Sequence, residues 1–134
     1  MANEIIKGMG FHHVALMCKD IDKSLEMYKA LGMKEVVRWG EGEKLIVMVD
    51  IGDGGRIELF ARGNDDYKVM GKYAHFAMRV DDVDHAYSVA LSAGFEPLIQ
   101  PKTVPLESSP EKIAINIAFV KGPDGEEVEF FKQV

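Results

Sequence analysis

Cysteine is almost missing from this chain. Cys18 stands alone among 134 residues, so no disulfide can close within the chain, and a reducing cytoplasm is the expected setting. A lone Cys in an apolar strand reads as buried packing rather than as a nucleophile. No run approaches the roughly 18 apolar residues that a membrane-spanning helix needs. The opening MANEIIKGMG also lacks the apolar core and cleavage site of a signal peptide. Positive charge is short, with 16 Lys and Arg against 22 Asp and Glu and a net charge of −6. Nucleic acid and anionic membranes need clustered cations, so the expected partner is a small molecule. A hydrophobic content of 47% supports a packed core and argues against disorder. The length corresponds to one domain, expected to span residues 1–134.

What the chain does have is a repeat. HVALMCKDID at 13–22 and HFAMRVDDVD at 75–84 share His, Ala, an apolar residue and the Asp-x-Asp ending at an offset of 62, from His13 to His75. The match continues from Leu25 to Tyr87, from Tyr28 to Ala90, and from Gly32-Met33 to Gly94-Phe95. Two copies indicate a duplicated module, the first over about 10–62 and the second over about 73–134. Each copy reads as βαβββ, an α+β fold. FHHVALMC alternates as a strand does. Asp20 or Asp22 then caps a helix whose Ile21, Leu25, Tyr28 and Leu31 follow helical spacing, and Gly32 suits its exit. The second copy repeats this with Val83, Tyr87, Ala90 and Leu91, ending at Gly94. KEVVRW, KLIVMVDI and RIELFA follow the first helix. FEPLIQ, KIAINIAFV and EEVEFF follow the second, the last two joined by the turn signal KGPDGE. GNDDYKVMGK (63–72) connects the modules. PKTVPLESSPEK (101–112), with three prolines and two serines, is predicted to be a loop over a site.

Strand parity then sorts the polar residues. Val14 and Leu16 share one face of the first strand, and His13 and Ala15 the other. In RIELFA, Glu58 opposes Ile57 and Leu59. In EEVEFF, Glu129 opposes Val128 and Phe130. In the second entry strand the apolar Phe76, Met78 and Val80 oppose His75. With the apolar faces packed on the helices, His13, Glu58, His75 and Glu129 all fall on the helix-free face. Two imidazoles and two carboxylates are a suitable set for a divalent cation such as Zn, Ni, Co, Fe or Mn. The plain alternative is a wet sheet face on which such residues carry no function. His12 competes with His13 but shares the parity of Val14. His85 falls within the second helix, on its exposed side.

At this point the chain resembles the vicinal-oxygen-chelate superfamily of glyoxalases, bleomycin-resistance proteins and dioxygenases. Within it, the likeness is to glyoxalase I-type lactoylglutathione lyases. The resemblance rests on HVALMCKDIDKSLEMYKALGMK, RIELF, YAHFAMRVDDVD and FVKGPDGEEVEFF, and spans nearly the whole chain. It implies two βαβββ modules forming a curved sheet around one divalent metal, with His13, Glu58, His75 and Glu129 as ligands. The similar methylmalonyl-CoA epimerases usually carry Gln where Glu58 stands, and extradiol dioxygenases use only two His and one Glu. The set therefore implies a lyase that isomerises the hemithioacetal of a 2-oxoaldehyde such as methylglyoxal and a thiol, glutathione or another. The product is a 2-hydroxyacyl thioester. Glu129 is the first choice for the proton-transferring base and Glu58 the second. Nickel or cobalt is favoured, as in the short bacterial enzymes, with zinc the alternative.

One departure stands out. The glutathione-dependent relatives usually place an Arg four residues after the first His, where this chain has Met17. Arg79 occupies the equivalent place after His75, and Arg38 matches a family arginine in the second strand. Both are candidate anion-binding residues, and each is also readable as a solvated strand residue. Trp39, Met48 and Phe60 either wall the pocket or belong to the core. A homodimer is expected, because several relatives build their sites between chains, and whether one chain or two supply the ligands stays open. Two other classes remain: an acyl-thioester epimerase like the methylmalonyl-CoA enzymes, and a non-catalytic binding module for a hydrophobic small molecule.

Overall fold

The computed structural model describes residues 2, 4–5, 11–62, 75–108, 110 and 112–134. The predicted connector 63–72 lies outside the described residues. The elements run β1 (His13–Met17), α1 (Ile21–Ala30), β2 (Lys34–Trp39), a 3₁₀ turn (Gly42–Lys44), β3 (Ile46–Asp50) and β4 (Arg56–Phe60). The second module follows as β5 (Phe76–Arg79), α2 (Val83–Ser92), β6 (Glu96–Leu106), β7 (Ile113–Lys121) and β8 (Glu127–Gln133). Both helices start and stop where their chemistry dictates. Asp20 accepts from the Lys23 N–H and Asp82 from the His85 N–H, so each cap satisfies an amide that has no partner within the helix. Gly32 and Gly94 follow at φ of 95° and 99°, a left-handed exit that costs glycine no Cβ clash.

The strands form two four-stranded sheets, ordered β1-β4-β3-β2 and β5-β8-β7-β6. In each, the entry strand lies parallel to the last strand of its module, and the other ladders are antiparallel. The duplication is repeated in the register. Ala15 pairs with Glu58 as Ala77 pairs with Glu129, and Met48 faces Glu58 as Phe119 faces Glu129. Val47, Val49, Ile57 and Leu59 from one sheet and Ala118, Val120 and Val128 from the other are buried. They share a continuous apolar cluster with Tyr28 and Ala90 of the helices. Each large aliphatic side chain so buried contributes about 1.5–3 kcal/mol. Among the described residues, no helix is long and apolar enough to cross a membrane.

The 101–112 segment departs from the loop expectation. β6 continues to Leu106 and pairs with β7 as far as Leu106 against Ile113. Its prolines are tolerated because β6 is the outer strand of its sheet, where a missing N–H costs no ladder bond. The register shifts between Pro97 and Ile99 and between Ile99 and Lys102 mark where the strand irregularities sit.

A polar latch joins α1 to the β7–β8 turn. Asp124 accepts from the Lys19 N–H at 2.7 Å and from the Ser24 hydroxyl at 3.0 Å. The Tyr28 hydroxyl donates to Glu126 Oε1 at 2.9 Å, and the Asp124 N–H donates to Glu126 Oε2 at 2.9 Å. Glu126 is buried, and burial pushes its carboxyl above the ordinary range, opposed by these hydrogen bonds. Cys18 lies buried beside the same cluster. Burial and then the Asp124 charge push its thiol up to about 12, which leaves almost no thiolate at neutral pH and fits the packing role expected for it.

Candidate metal centre

Each module supplies one His–Glu pair on its helix-free face. His13 opens β1, and Glu58 sits mid-way along β4, two residues beyond His13's ladder partner Arg56. The parallel register and the alternation of side chains put both on one face, with His13 Nε2 4.0 Å from Glu58 Oε1. In the second module His75 immediately precedes β5. Its Nε2 lies 3.0 Å from Glu129 Oε2, and the Phe119 ring meets the imidazole edge to face at 5.1 Å. Met48 and Phe119, the equivalent cross-strand neighbours of the two glutamates, shield them from one side. The Glu58 and Glu129 side chains are 12% and 10% exposed, against 37% and 38% for their histidines. Each pair therefore has an enclosed carboxylate and an imidazole at the rim.

The donor chemistry fits a divalent cation. Two ligands each about 2.1 Å from one ion lie roughly 3.0–3.4 Å apart. His75–Glu129 has that spacing, and His13–Glu58 exceeds it by at most about 1 Å. The two pairs do not come together in one chain, however. Among the described residues, no three His, Cys, Asp or Glu side chains are grouped to hold an ion. Each chain thus presents two separate His–Glu pairs, each of one nitrogen and one oxygen donor.

The other predicted site residues are placed as follows. Arg38 pairs with Val47, which pairs with Leu59, so it lies on the face opposite Glu58. It is held in an exposed ion pair with Glu35 at 2.5 Å, and the guanidinium holds the Glu35 carboxyl below its ordinary range. The structure does not bring Arg38 to the His13–Glu58 pair. Arg79 shares the helix-free parity of Glu129 but stands at the far end of β5. It borders a cleft with Asp82 and His85 of the α2 N-terminal region and Leu31 and Met33 of the first module. Met48 is buried beside Glu58, whereas Trp39 is 45% exposed and Phe60 lies under the Arg62 guanidinium at 4.9 Å. His12 lies outside β1. Its ring does not follow Val14 but turns onto His13, Nδ1 to Nδ1 at 2.9 Å.

Sequence reasoning passed over Asp124 and Glu126. The available signal was parity, since Glu126 shares the core-facing alternation of Val128 and Phe130. A carboxylate at a core position marks a buried polar contact.

A model of the Glyoxalase/Bleomycin resistance protein/Dioxygenase superfamily matches residues 10–130. A lactoylglutathione lyase of Neisseria meningitidis is 31% identical over 129 residues, covering 90% of this chain and 88% of its own. A probable lactoylglutathione lyase of Vibrio parahaemolyticus is 30% identical over 128 residues, with the same two coverages. Among solved structures, the trypanothione-dependent glyoxalase I of Leishmania major superimposes with a TM-score of 0.69. That match has 24% identity and covers 93% of this chain and 87% of that one, a likeness that speaks to the fold. The chain belongs to the Glyoxalase/bleomycin resistance protein/dioxygenase superfamily.

Proposed function

We propose that this protein is a metal-dependent lyase of the glyoxalase I type. It would isomerise the hemithioacetal of a 2-oxoaldehyde and a thiol to a 2-hydroxyacyl thioester. The observation that carries this is the pair of His–Glu sets in one shared register, His13 with Glu58 and His75 with Glu129. The relatives named lactoylglutathione lyase support it at 30–31% identity. The N₂O₂ donor set suits a divalent cation such as Zn, Ni, Co, Fe or Mn, and the likeness to short lactoylglutathione lyases favours nickel or cobalt, with zinc the alternative.

His13 and His75 would hold the ion through Nε2, the nitrogen that faces each glutamate. A bound divalent cation supplies positive charge against the negative charge that builds on the substrate oxygens. Glu129 is the first choice for the base. Its side chain is enclosed, 10% exposed, and lies against Phe119. It takes the proton from the carbon bearing sulfur and returns it to the adjacent carbonyl carbon, while the hydroxyl proton passes between the two oxygens. Glu58 would serve as the second ligand carboxylate.

The full donor set would form where the His13–Glu58 pair of one copy meets the His75–Glu129 pair of another. Each half-site has too few donors for a closed site. On the same face as Glu58, Val37 and Trp39 are 43% and 45% exposed, an apolar patch that a second copy would cover. The test is to load the purified protein with Ni, Co or Zn in turn, then assay it with methylglyoxal and glutathione or another small thiol. Thioester formation that follows metal loading is the expected result. Failure to bind any of the three metals would overturn the proposal.

A further inference from the structure

We infer that His12 is a positioning residue that fixes the tautomer of His13 and so aims its Nε2 at the half-site. This rests on the reading of His13 as a ligand. The two rings meet edge to face at 84°, with centroids 5.2 Å apart and the two Nδ1 atoms 2.9 Å apart. At that distance one Nδ1 must donate and the other accept, since two lone pairs or two protons would repel. His13 Nε2 is 4.0 Å from Glu58, beyond hydrogen-bond range. Two assignments satisfy the Nδ1–Nδ1 contact, and reading His13 as a ligand through Nε2 selects between them: the proton sits on His13 Nδ1, donated to His12 Nδ1, and the His13 Nε2 lone pair is left directed at the half-site. His12 then carries its own proton on Nε2. The His12 carbonyl accepts from the Arg56 N–H at 3.0 Å, which anchors its backbone beside β4.

The second module uses another device, and the contrast carries the inference further. By the repeat offset, the residue equivalent to His12 is Ala74, whose side chain cannot hydrogen-bond. There the imidazole contacts its own glutamate directly at 3.0 Å and is braced by Phe119. At the Phe119 position the first module has Met48, which is flexible and not planar. His12 thus supplies in the first half-site the orientation that Phe119 and the close Glu129 supply in the second. Partners that fix a ligating imidazole in this way are typically worth about 10–100-fold in metal affinity.

The test has two readouts on the full chain. In the metal-free protein, ¹⁵N NMR of the neutral imidazoles should show His13 in the Nδ1–H form. His12→Ala should turn it into a mixture, His12→Asn, whose side-chain oxygen sits near the position of Nδ1, should restore it, and the His75 signals should not move. In competition with a chromophoric chelator, His12→Ala should weaken Ni binding by roughly 10–100-fold, with recovery in His12→Asn. An Nε2–H tautomer for His13 in the native chain overturns the inference, as does a tautomer unchanged in His12→Ala. If the native chain takes up no metal, the ligand reading fails, while the tautomer comparison still decides the His12–His13 contact by itself.

Discussion

The separation of the two half-sites leads to a complementation experiment. In one variant His13→Ala and Glu58→Gln destroy the first half-site; in the other His75→Ala and Glu129→Gln destroy the second. Both histidines lie at the rim and Gln keeps the volume of the enclosed glutamates, so both variants should fold. Neither variant alone has a complete donor set, and each should be free of metal and activity. In a twofold dimer with composite sites, the mixed dimer has one site with both halves destroyed and one with both halves intact. Random exchange makes about half of all dimers mixed, each with one of two sites working, so the mixture should recover about one quarter of native metal binding and turnover. Tagging the two variants differently allows mixed dimers to be isolated, and these should recover about one half. The assay is Ni binding by chelator competition, followed by thioester formation. Mixed dimers that stay at the level of the single variants would refute the two-chain arrangement, as would a complete site in either variant alone.

Other expectations concern the latch. Tyr28→Phe removes the hydroxyl that donates to buried Glu126 and should cost about 1–3 kcal/mol in urea unfolding, because a buried carboxyl loses a partner. Because burial holds the folded Glu126 carboxyl above the ordinary carboxylate range, the folded state holds this proton more tightly than the unfolded one. Its effect is absent below the ordinary range, and stability is lost as pH rises through the raised folded value. Glu126→Gln should flatten that loss relative to the native chain, and equal pH slopes for the two would contradict the assignment. Gly122→Ala would drive a Cβ into the Glu126 carboxylate, and thermal unfolding should show a clear drop in Tm, whereas Gly42→Ala meets no atom and is limited to the cost of its φ of 57°. Cys18 should resist thiol reagents in the native protein and react fully in denaturant.

Much of this was legible in the chain itself. Asp20 and Asp82 with Gly32 and Gly94 marked both helices, because capping is local chemistry that one turn of backbone decides. The parity of His13, Glu58, His75 and Glu129 was readable because strand alternation has a period of two whatever surrounds it. The prolines at 101 and 105 misled, since a proline reads as a strand breaker unless the strand is known to be an outer one. The face of Arg38 was not legible, because the register irregularity between Glu35 and Val37 shifts the pairing of every later residue in β2. His12 escaped because the residue ahead of a strand is free of strand parity.

The sequence by itself determined the duplicated βαβββ pattern, the helix limits and the face on which each His and Glu stands. All of these follow from local backbone geometry and a repeat visible at one offset. Only the tertiary structure decided that the two His–Glu pairs stay in separate sheets, that Tyr28 and Glu126 meet across the modules, and that His12 turns onto His13. Those outcomes depend on how distant segments pack, and no local period encodes a distance between them.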